Sequence, residues 1–581
     1  LIRRRPDQET AMHRPPHASP ACRQRGNAAG KFITLLLVLG LLALGGWLVW
    51  QDMGKPPNGD APGVGEPHTD EPKVSAEGSK PEPIEPVSGQ PRLDAPAPYQ
   101  PQNNIVDVDI SEYAGYAGLI VANGGLEPNP ESFFAKRHGF QVRLKLSEEE
   151  GWNKLNNGRI AATVTTADTL AVIGRQFEAI VPAQIGFSRG ADQVVVDTGI
   201  ANINQLKGKV LASSQFNEAE FFIRYLVSEA GVPVKVLRDL DGRPGSGELG
   251  LVFYEDAFVA CEAYQHELAS DRPKLNGCVG WSPGTEEVVA ASNGRAKVLV
   301  SNRNLLIVAD ILMLNKGFAE AQPKMAQGLV HGLLEGNRLV RENAEPHLST
   351  IAQALGWTEQ ETRDELAKVH LSNLPENLAF FEGTIDAAGS FQGIFQSSVL
   401  SYGDLIKNPA DPARFVDLKF LKALAGEAAF AQQKVAIAPI RTGGAVSLEG
   451  DALLSKDIRF FFKPNSSDLD TDAKENEGYL DTIKGFLQVS PGSIVLLRGH
   501  VDNARVAEFE QQGGKELVRT MALKAMELSR QRAQSVRHAL LARHPGIDKA
   551  RIELVGRGWE EPAGADSELN RRVEVQWFTL E

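Results

Sequence analysis

Hydrophobic residues along this chain fall into three regimes. Residues 32–50, FITLLLVLGLLALGGWLVW, are 19 positions without a charge. That is a helix of roughly 28 Å, against a hydrocarbon layer of about 30 Å. Trp47 and Trp50 stand at its end, where indole rings prefer the membrane interface. Residues 51–103 then carry twelve prolines among Gly, Glu, Asp and Ser, with almost no large apolar side chain. No core can form there, so the pattern predicts a semi-extended tether. From residue 104 the spacing of apolar positions alternates between that of strands and that of helices. The run YAGLIVA (116–122) predicts a buried strand ending at Asn123-Gly124-Gly125, with a helix over 131–138 and a strand over 141–146 behind it. A helix over 148–156 and a strand over 160–165 continue the alternation. Such short connections predict a mostly parallel sheet covered by helices.

Residues 426–446 read as an Ala- and Gly-containing connector, and residues 447–581 as a further α/β unit. Its predicted elements are a strand over 458–463, a turn over 464–467, a helix over 472–489 and a strand over 493–498. A helix over 528–541 and strands over 551–556 and 573–578 complete it. A length of 581 residues calls for two or three folded units in any case.

Charge orients this layout. Arg3, Arg4, Arg5, Arg14, Arg23, Arg25 and Lys31 precede the apolar run, against only Asp7 and Glu9. Positive residues stay on the cytoplasmic side, so residues 1–31 are expected to be a cytoplasmic tail and residues 32–50 an uncleaved signal anchor. No small-residue cleavage triplet follows the run, as a removable signal would require. The expectation is a single-pass protein of the bacterial inner membrane, with its bulk in the periplasm. A net charge of −13 argues against a nucleic-acid partner. Three cysteines without a CxxC pair exclude a cysteine zinc site, and Cys261 and Cys278 are either one disulfide or two buried thiols.

Polar residues cluster after the apolar strands of residues 104–425, where open parallel sheets bind ligands. These are Asn123, Thr166, Asp168, Ser188, Arg189, Asp192, Ser213, Ser214 and Asn217, the last just before a helical run over 218–230. The order TTADTL, IGFSRGADQVVVD and INQLKGKVLASSQFNEAEFFIRYLVSEAGV, then YEDAFVACEAY, VGWSPGTEEVVA and KVLVSNRNLLIVADILML, resembles type 2 periplasmic solute-binding proteins. The branch it is most similar to binds nitrate, sulfonates, taurine or thiamine precursors. That resemblance implies two α/β lobes around a cleft, the first over about 104–200 and re-entered after about 305, with Asp310 near the crossing. Ser214, the N–H groups opening the 218–230 helix, Ser188 and Arg189 would suit an oxyanion such as sulfonate, nitrate or phosphate, or a zwitterion. Asp168, Asp192 and Asp256 would instead receive a cationic or amino group. For Asp192 and Ser213 capping a turn or helix is the preferred reading, and Trp281 is either a cleft wall or core.

In the last unit FFFKPNSSDL, LLRGHVDN, LSRQRAQSVRHALL, RIELVGRGWEEP and NRRVEV resemble the OmpA-like peptidoglycan-binding domain. The resemblance implies that Asp502 takes the ammonium and Arg532 the carboxylate of a diaminopimelate stem, with Asn465 and Arg571 lining the pocket. Three departures stand out: Val501 where the family has Thr, Ala525 where it has Asn, and a charged insertion over 503–527. Arg572 is read as an internal ion pair and His500 as structural.

The whole chain therefore reads as a binder without catalytic residues, cofactor or metal. It has one span and no GxxxxGK[ST] loop, so it is neither a permease nor an ATPase. It would deliver a small solute to an ABC transporter permease or to a sensor. The alternatives are a wall-tethering scaffold and a thiamine-precursor-type enzyme.

Overall fold

The alternation over residues 104–425 builds two sheets. The computed structural model describes residues 80–147, 151–440, 452–463, 466–565 and 567–579. Among the described residues no helix is long and apolar enough to cross a membrane. The expected span at 32–50 lies outside them.

The chain enters the first lobe with β1 (Ile105–Ile110), α1 (Ala117–Asn123) and β2 (Gln141–Leu146). It continues with β3 (Ala162–Thr166), α2 (Ala167–Ile173) and β4 (Ala179–Ser188). It crosses at Arg189–Ala191 and builds the second lobe from β5 (Asp192–Asp197), β6 (Val210–Ser214), α3 (Glu218–Glu229), β7 (Val234–Val236) and β8 (Leu249–Tyr254). Next come α4 (Ala257–Leu268), β9 (Gly277–Trp281) and β10 (Ala296–Ser301). It returns to the first lobe as β11 (Ala309–Asn315), α5 (Pro323–Glu342), β12 (Val369–Leu371), α6 (Leu374–Glu382) and α7 (Phe391–Tyr402). The sheet orders are β12-β4-β11-β3-β1-β2 and β10-β5-β9-β6-β8-β7. This is a two-lobed architecture crossed twice by the chain.

Three expectations change. Both sheets are mixed, because the strands flanking the crossings, β4 with β11 and β5 with β10, run antiparallel to their neighbours. The first crossing falls at 189–191, so Asp192–Asp197 belongs to the second lobe. YAGLIVA is helical. Periodicity over so short an apolar run cannot separate strand from helix, and tertiary packing decides: α1 lies so close to α5 that a Cβ at Gly336 would stand 1.8 Å from the Gly118 carbonyl oxygen.

The proline-rich pattern predicts a tether through residue 103, yet from Lys80 the chain lies against both lobes. On the second lobe Lys80 pairs with Glu267 at 2.5 Å, and the Ile84 N–H donates to the Phe253 carbonyl at 2.9 Å. On the first, the Leu93 N–H donates to Gln176 at 2.9 Å and the Tyr99 N–H to Asn315 at 3.1 Å. An extended proline-rich backbone leaves its N–H and C=O groups unspent, and lobe side chains take them.

Cys261 on α4 and Cys278 on β9 form a disulfide with Cα atoms 5.1 Å apart. The bridge closes a segment of sequence separation 17, and cross-links over loops of this size hold down the unfolded chain by about 2–4 kcal/mol. Cys261→Ser should therefore lower the unfolding free energy of the second lobe, read from a urea titration, by that much, and reduction of the wild type should do the same.

The third unit has β13 (Leu454–Ile458), α8 (Glu475–Val489), β14 (Ile494–Gly499), α9 (Val506–Arg543), β15 (Ile552–Gly556) and β16 (Val573–Phe578) in the order β13-β16-β14-β15. Its first strand starts earlier than the sequence pattern suggested, because residues 454–458 pair with β16 and residues 459–463 do not. The insertion extends α9 in the N-terminal direction, with a break at Gly513 and Gly514, where Gly514 has φ of 62°. Phe486 stacks on the buried Trp577 at 4.8 Å. This unit docks on both lobes. On the second lobe the Ile203 N–H donates to the Leu453 carbonyl at 3.1 Å and Lys456 pairs with Glu229 at 2.9 Å, and on the first Gln488 donates to the Ile385 carbonyl at 2.9 Å.

Candidate functional site

Strand ends of the two lobes face each other across a closed cleft. Ser282 of the second lobe donates to Glu365 of the first at 3.0 Å. Lys368 of the first lobe bridges Glu286 of the second and Glu365, each at 2.9 Å.

The register of β3 and β11 sets Asp310 beside Thr166, and Asp168 opens the first turn of α2 just beyond. Tyr116 donates its hydroxyl to Asp310 Oδ1 at 3.1 Å. Asp192, first residue of β5, accepts from Ser188 at 2.5 Å and from the Asn302 amide at 2.7 Å. All three carboxylates are buried, with side chains of Asp168 and Asp310 on the first lobe and Asp192 on the second. None of the three forms an ion pair with a described residue. Asp168 Oδ1 and Asp310 Oδ2 have no hydrogen-bond partner among the described residues, and neither has the Ser213 hydroxyl at the end of β6. From the second lobe Glu218 opens α3, close enough for its charge to act on Tyr113 and Tyr116.

Electrostatics follow from this packing. Burial lifts the Asp168 carboxyl to about 7, against hydrogen bonds from Thr166 and Thr169 and with the charge of Asp192 adding to the rise. Burial also pushes Asp310 well above the carboxylate range, and Asp192 and Asp168 push it the same way. Asp192 is raised by burial against the donors Ser188 and Asn302. Arg224, on α3, is committed to Glu220 at 2.6 Å and lies over the Tyr402 ring at 5.0 Å.

The other candidate residues scatter. Asn123 donates to the carbonyls of Gly125 and Glu127 and closes the turn after α1. Asn217 caps α3 and donates to Ser214, and Asp256 caps α4 at 2.8 Å from the Val259 N–H. Thr166 bonds Thr169 at 2.8 Å. Trp281 pairs with Asp192 across β5 and β9 and stands edge-on to Phe258, half-buried. The donors assembled for an oxyanion do not converge. Arg189 turns to the carbonyls of Arg303 and Ala438, Ser188 is spent on Asp192, and Glu218 places a negative charge at the helix N-terminus. Neither Ser213 nor Asp192 caps a helix; Asp192 holds Ser188 across the link over 188–192, in keeping with the turn reading, while the Ser213 hydroxyl has no partner among the described residues. Tyr113 and Tyr116 went unmarked because their segment read as the edge of a strand.

The second site lies on the third unit. Asp502 stands 3.7 Å from Arg571, and Arg532 lies over the Phe462 ring at 5.0 Å. Burial and the neighbouring Arg571 hold the Arg532 guanidinium below its ordinary range, while Asp502 pulls it back up. Its Nε is buried without a partner among the described residues. Two guanidinium groups and one carboxylate thus sit together, a set able to take the carboxylate and ammonium of one amino-acid head group. Asn465 lies outside the described residues. Val501 is buried, its N–H on the Gly558 carbonyl at 2.8 Å, and Ala525 is buried on α9. Arg572 pairs with Asp457 at 2.9 Å. His500, buried 3.4 Å from Glu574, belongs to an ion cluster in which Arg498 holds both Glu574 and Glu561. Burial would raise Glu574, but His500, Arg498 and Gln576 bring it down to about 2.

Comparison with known proteins agrees with this division. Residues 461–576 match the OmpA family. No curated protein matches the chain. Among solved structures the chain is similar to the periplasmic aliphatic sulphonate binding protein of Escherichia coli, at 14% identity and a TM-score of 0.41, covering 60% of this chain and 99% of that one. A putative periplasmic sulfonate-binding protein of Methylobacillus flagellatus KT is similar at 14% identity and a TM-score of 0.39, over 56% and 94% of the two chains. The desulfurization enzyme DSZB is similar at 13% and 0.37, over 55% and 98%. These likenesses decide nothing about a ligand, and the two lobes stand on the sheets described above.

Proposed function

We propose that this chain is a peptidoglycan-tethered, membrane-anchored solute-binding protein of the periplasm. Its third unit holds the diaminopimelate stem of the wall through Asp502, Arg532 and Arg571. Its two lobes capture a small solute for an ABC transporter permease or a sensor, by binding and without chemistry. The observation that carries the solute reading is the cleft itself: polar side chains from both lobes converge there, and carboxylate oxygens stay unpartnered in a buried place. A domain kept only as a scaffold would have filled that space with apolar side chains, because burying polar groups without partners costs about 1–3 kcal/mol each.

The anchor at 32–50 and the strap from Lys80 fit a chain held at one end by the membrane and at the other by the wall. The docking of the third unit on both lobes favours a second reading, in which the lobes are clamped and serve as a scaffold. Limited proteolysis and mass spectrometry separate the two. Full-length protein, purified in detergent, should release a bound small molecule on denaturation, and the Asp310→Ala protein should release none. If both preparations are empty and the lobes resist protease equally with and without a cell metabolite extract, the scaffold reading holds.

A further inference from the structure

We infer that the solute of this cleft carries a protonated amine, and that Asp168 and Asp310 receive the ammonium group. The inference rests on the solute-binding reading and names its ligand class.

A carboxylate carried into a protein interior needs a cation or a full set of donors, because its hydration is otherwise lost. Asp192 has its donors in Ser188 and Asn302. Asp310 has Tyr116 on Oδ1, and Asp168 has Thr166, its own N–H and the long contact of Thr169 with Oδ2 at 3.4 Å, none of which reaches Oδ1 of Asp168 or Oδ2 of Asp310. The oxygens left over are both buried on the first lobe, Asp310 Oδ2 at the start of β11 and Asp168 Oδ1 in the first turn of α2, just beyond the Thr166 that pairs with Asp310. Arg224 of the second lobe is held by Glu220, and Arg189 turns to the carbonyls of Arg303 and Ala438. Folding has therefore gathered acids from both lobes, Asp168 and Asp310 facing Asp192, and among the described residues none of the three is paired with a cation.

The lining is that of a cation site in a second respect. Tyr113 and Tyr116 pack edge to face with each other at 5.4 Å, Tyr116 on Asp310 and Tyr113 close enough for the Asp310 charge to act on it. Rings beside acids are the surroundings in which an ammonium gains both charge pairing and ring attraction. A bare metal ion fits less well. Among the described residues only His500, Glu561 and Glu574 bring three ligand atoms within 4.8 Å of one another, and the cleft carboxylates do not. A cage of three ligand atoms is therefore not assembled here, whereas an ammonium group needs only acceptors such as Asp168 Oδ1 and Asp310 Oδ2.

The stability side has a definite sign. Both carboxyls are raised in the folded state above the ordinary value of 3.8. A group raised in this way binds its proton more tightly when folded, so its contribution is favourable at low pH and is lost as pH rises towards the folded value. At neutral pH these two acids weaken the empty protein. Asp168→Asn and Asp310→Asn should raise the melting temperature of the ligand-free chain at pH 7.

The test is a thermal-shift series on the full-length chain in detergent. Ethanolamine, putrescine and methylammonium are the cationic probes, and ethanesulfonate, nitrate, inorganic phosphate and magnesium are the comparison set. At least one amine should raise the melting temperature in step with its concentration. Each Asn variant should weaken that response at least tenfold while melting no lower than wild type when empty. A shift only with ethanesulfonate, nitrate or phosphate overturns the amine assignment and leaves the solute-binding reading standing. A shift with magnesium alone also overturns it. Variants that melt lower than wild type and respond to amines unchanged would make Asp168 and Asp310 structural. No shift with any compound overturns both this inference and the reading beneath it.

Discussion

Arg532→Ala should strip this chain of its hold on the wall. Isolated sacculi sediment a protein that grips their stem peptides, and the variant is expected to stay in the supernatant. Arg532 is half-buried over Phe462 with an unpartnered Nε, and Arg571 and Asp502 stand beside it. Removing one side of such a charge-matched contact costs about 2–5 kcal/mol of binding, much of it from the stranded partner charge. Arg532→Lys should recover only part, because a point charge does not reproduce the two-pronged guanidinium fork. Among the described residues Arg532 forms no ion pair, so the folded unit should melt near the wild-type temperature. An Arg532→Ala protein that sediments as the wild type does would remove the residue from the wall contact. Asp502→Asn belongs in the same experiment. It should lose the ammonium end of the stem and release Arg571 from its 3.7 Å partner.

Much of the architecture was readable from patterning, and the failures have physical causes. The α/β alternation over 104–425 and the separate unit after residue 447 follow from period and composition alone. The position of the first crossing did not. In IGFSRGADQVVVD two buried strands flank a three-residue link, and nothing local tells which sheet the second one joins. YAGLIVA became a helix because Gly118 and Gly336, more than two hundred residues apart, let two helices touch. The tether misled in the opposite way: its prolines predict an extended chain correctly, but not that the side chains of Gln176 and Asn315 would hold it down.

For the candidate site, Asp168 and Asp310 were legible as polar residues at strand ends. Arg189 was not legible in the same sense. Its residue type suggested an anion, but its direction is set by the carbonyls of Arg303 and Ala438, which only the fold brings near. On the third unit Asp502, Arg532 and Arg571 come together as the motif order implied, while the insertion lies along α9 and brings Phe509 to stack on Trp559 at 6.2 Å.

Glu376→Ala should be among the most damaging single changes in the first lobe, lowering stability by about 3–5 kcal/mol. The side chain is wholly buried near the start of α6. Its Oε2 accepts from Arg341 at 2.6 Å, from the Asn373 N–H at 2.9 Å and lies 3.1 Å from His370 Nε2. Its Oε1 accepts from the Ala436 N–H at 3.0 Å. One carboxylate thus joins α5, β12, α6 and the segment leading to the third unit, and its loss leaves a guanidinium without its counter-charge. Burial alone would raise this carboxyl, but His370 and Arg341 bring it down to about 2. Because the folded value lies below the ordinary 4.5, its contribution is complete above about pH 4.5 and is lost as pH falls towards 2. A drop of this size corresponds to about 3 kcal/mol, of the same order as the deletion. Melting curves of wild type and Glu376→Ala should therefore differ most near pH 7 and converge below pH 3. Curves that run parallel across that range would mean that the carboxylate charge does no work in the fold, and that only its shape is lost.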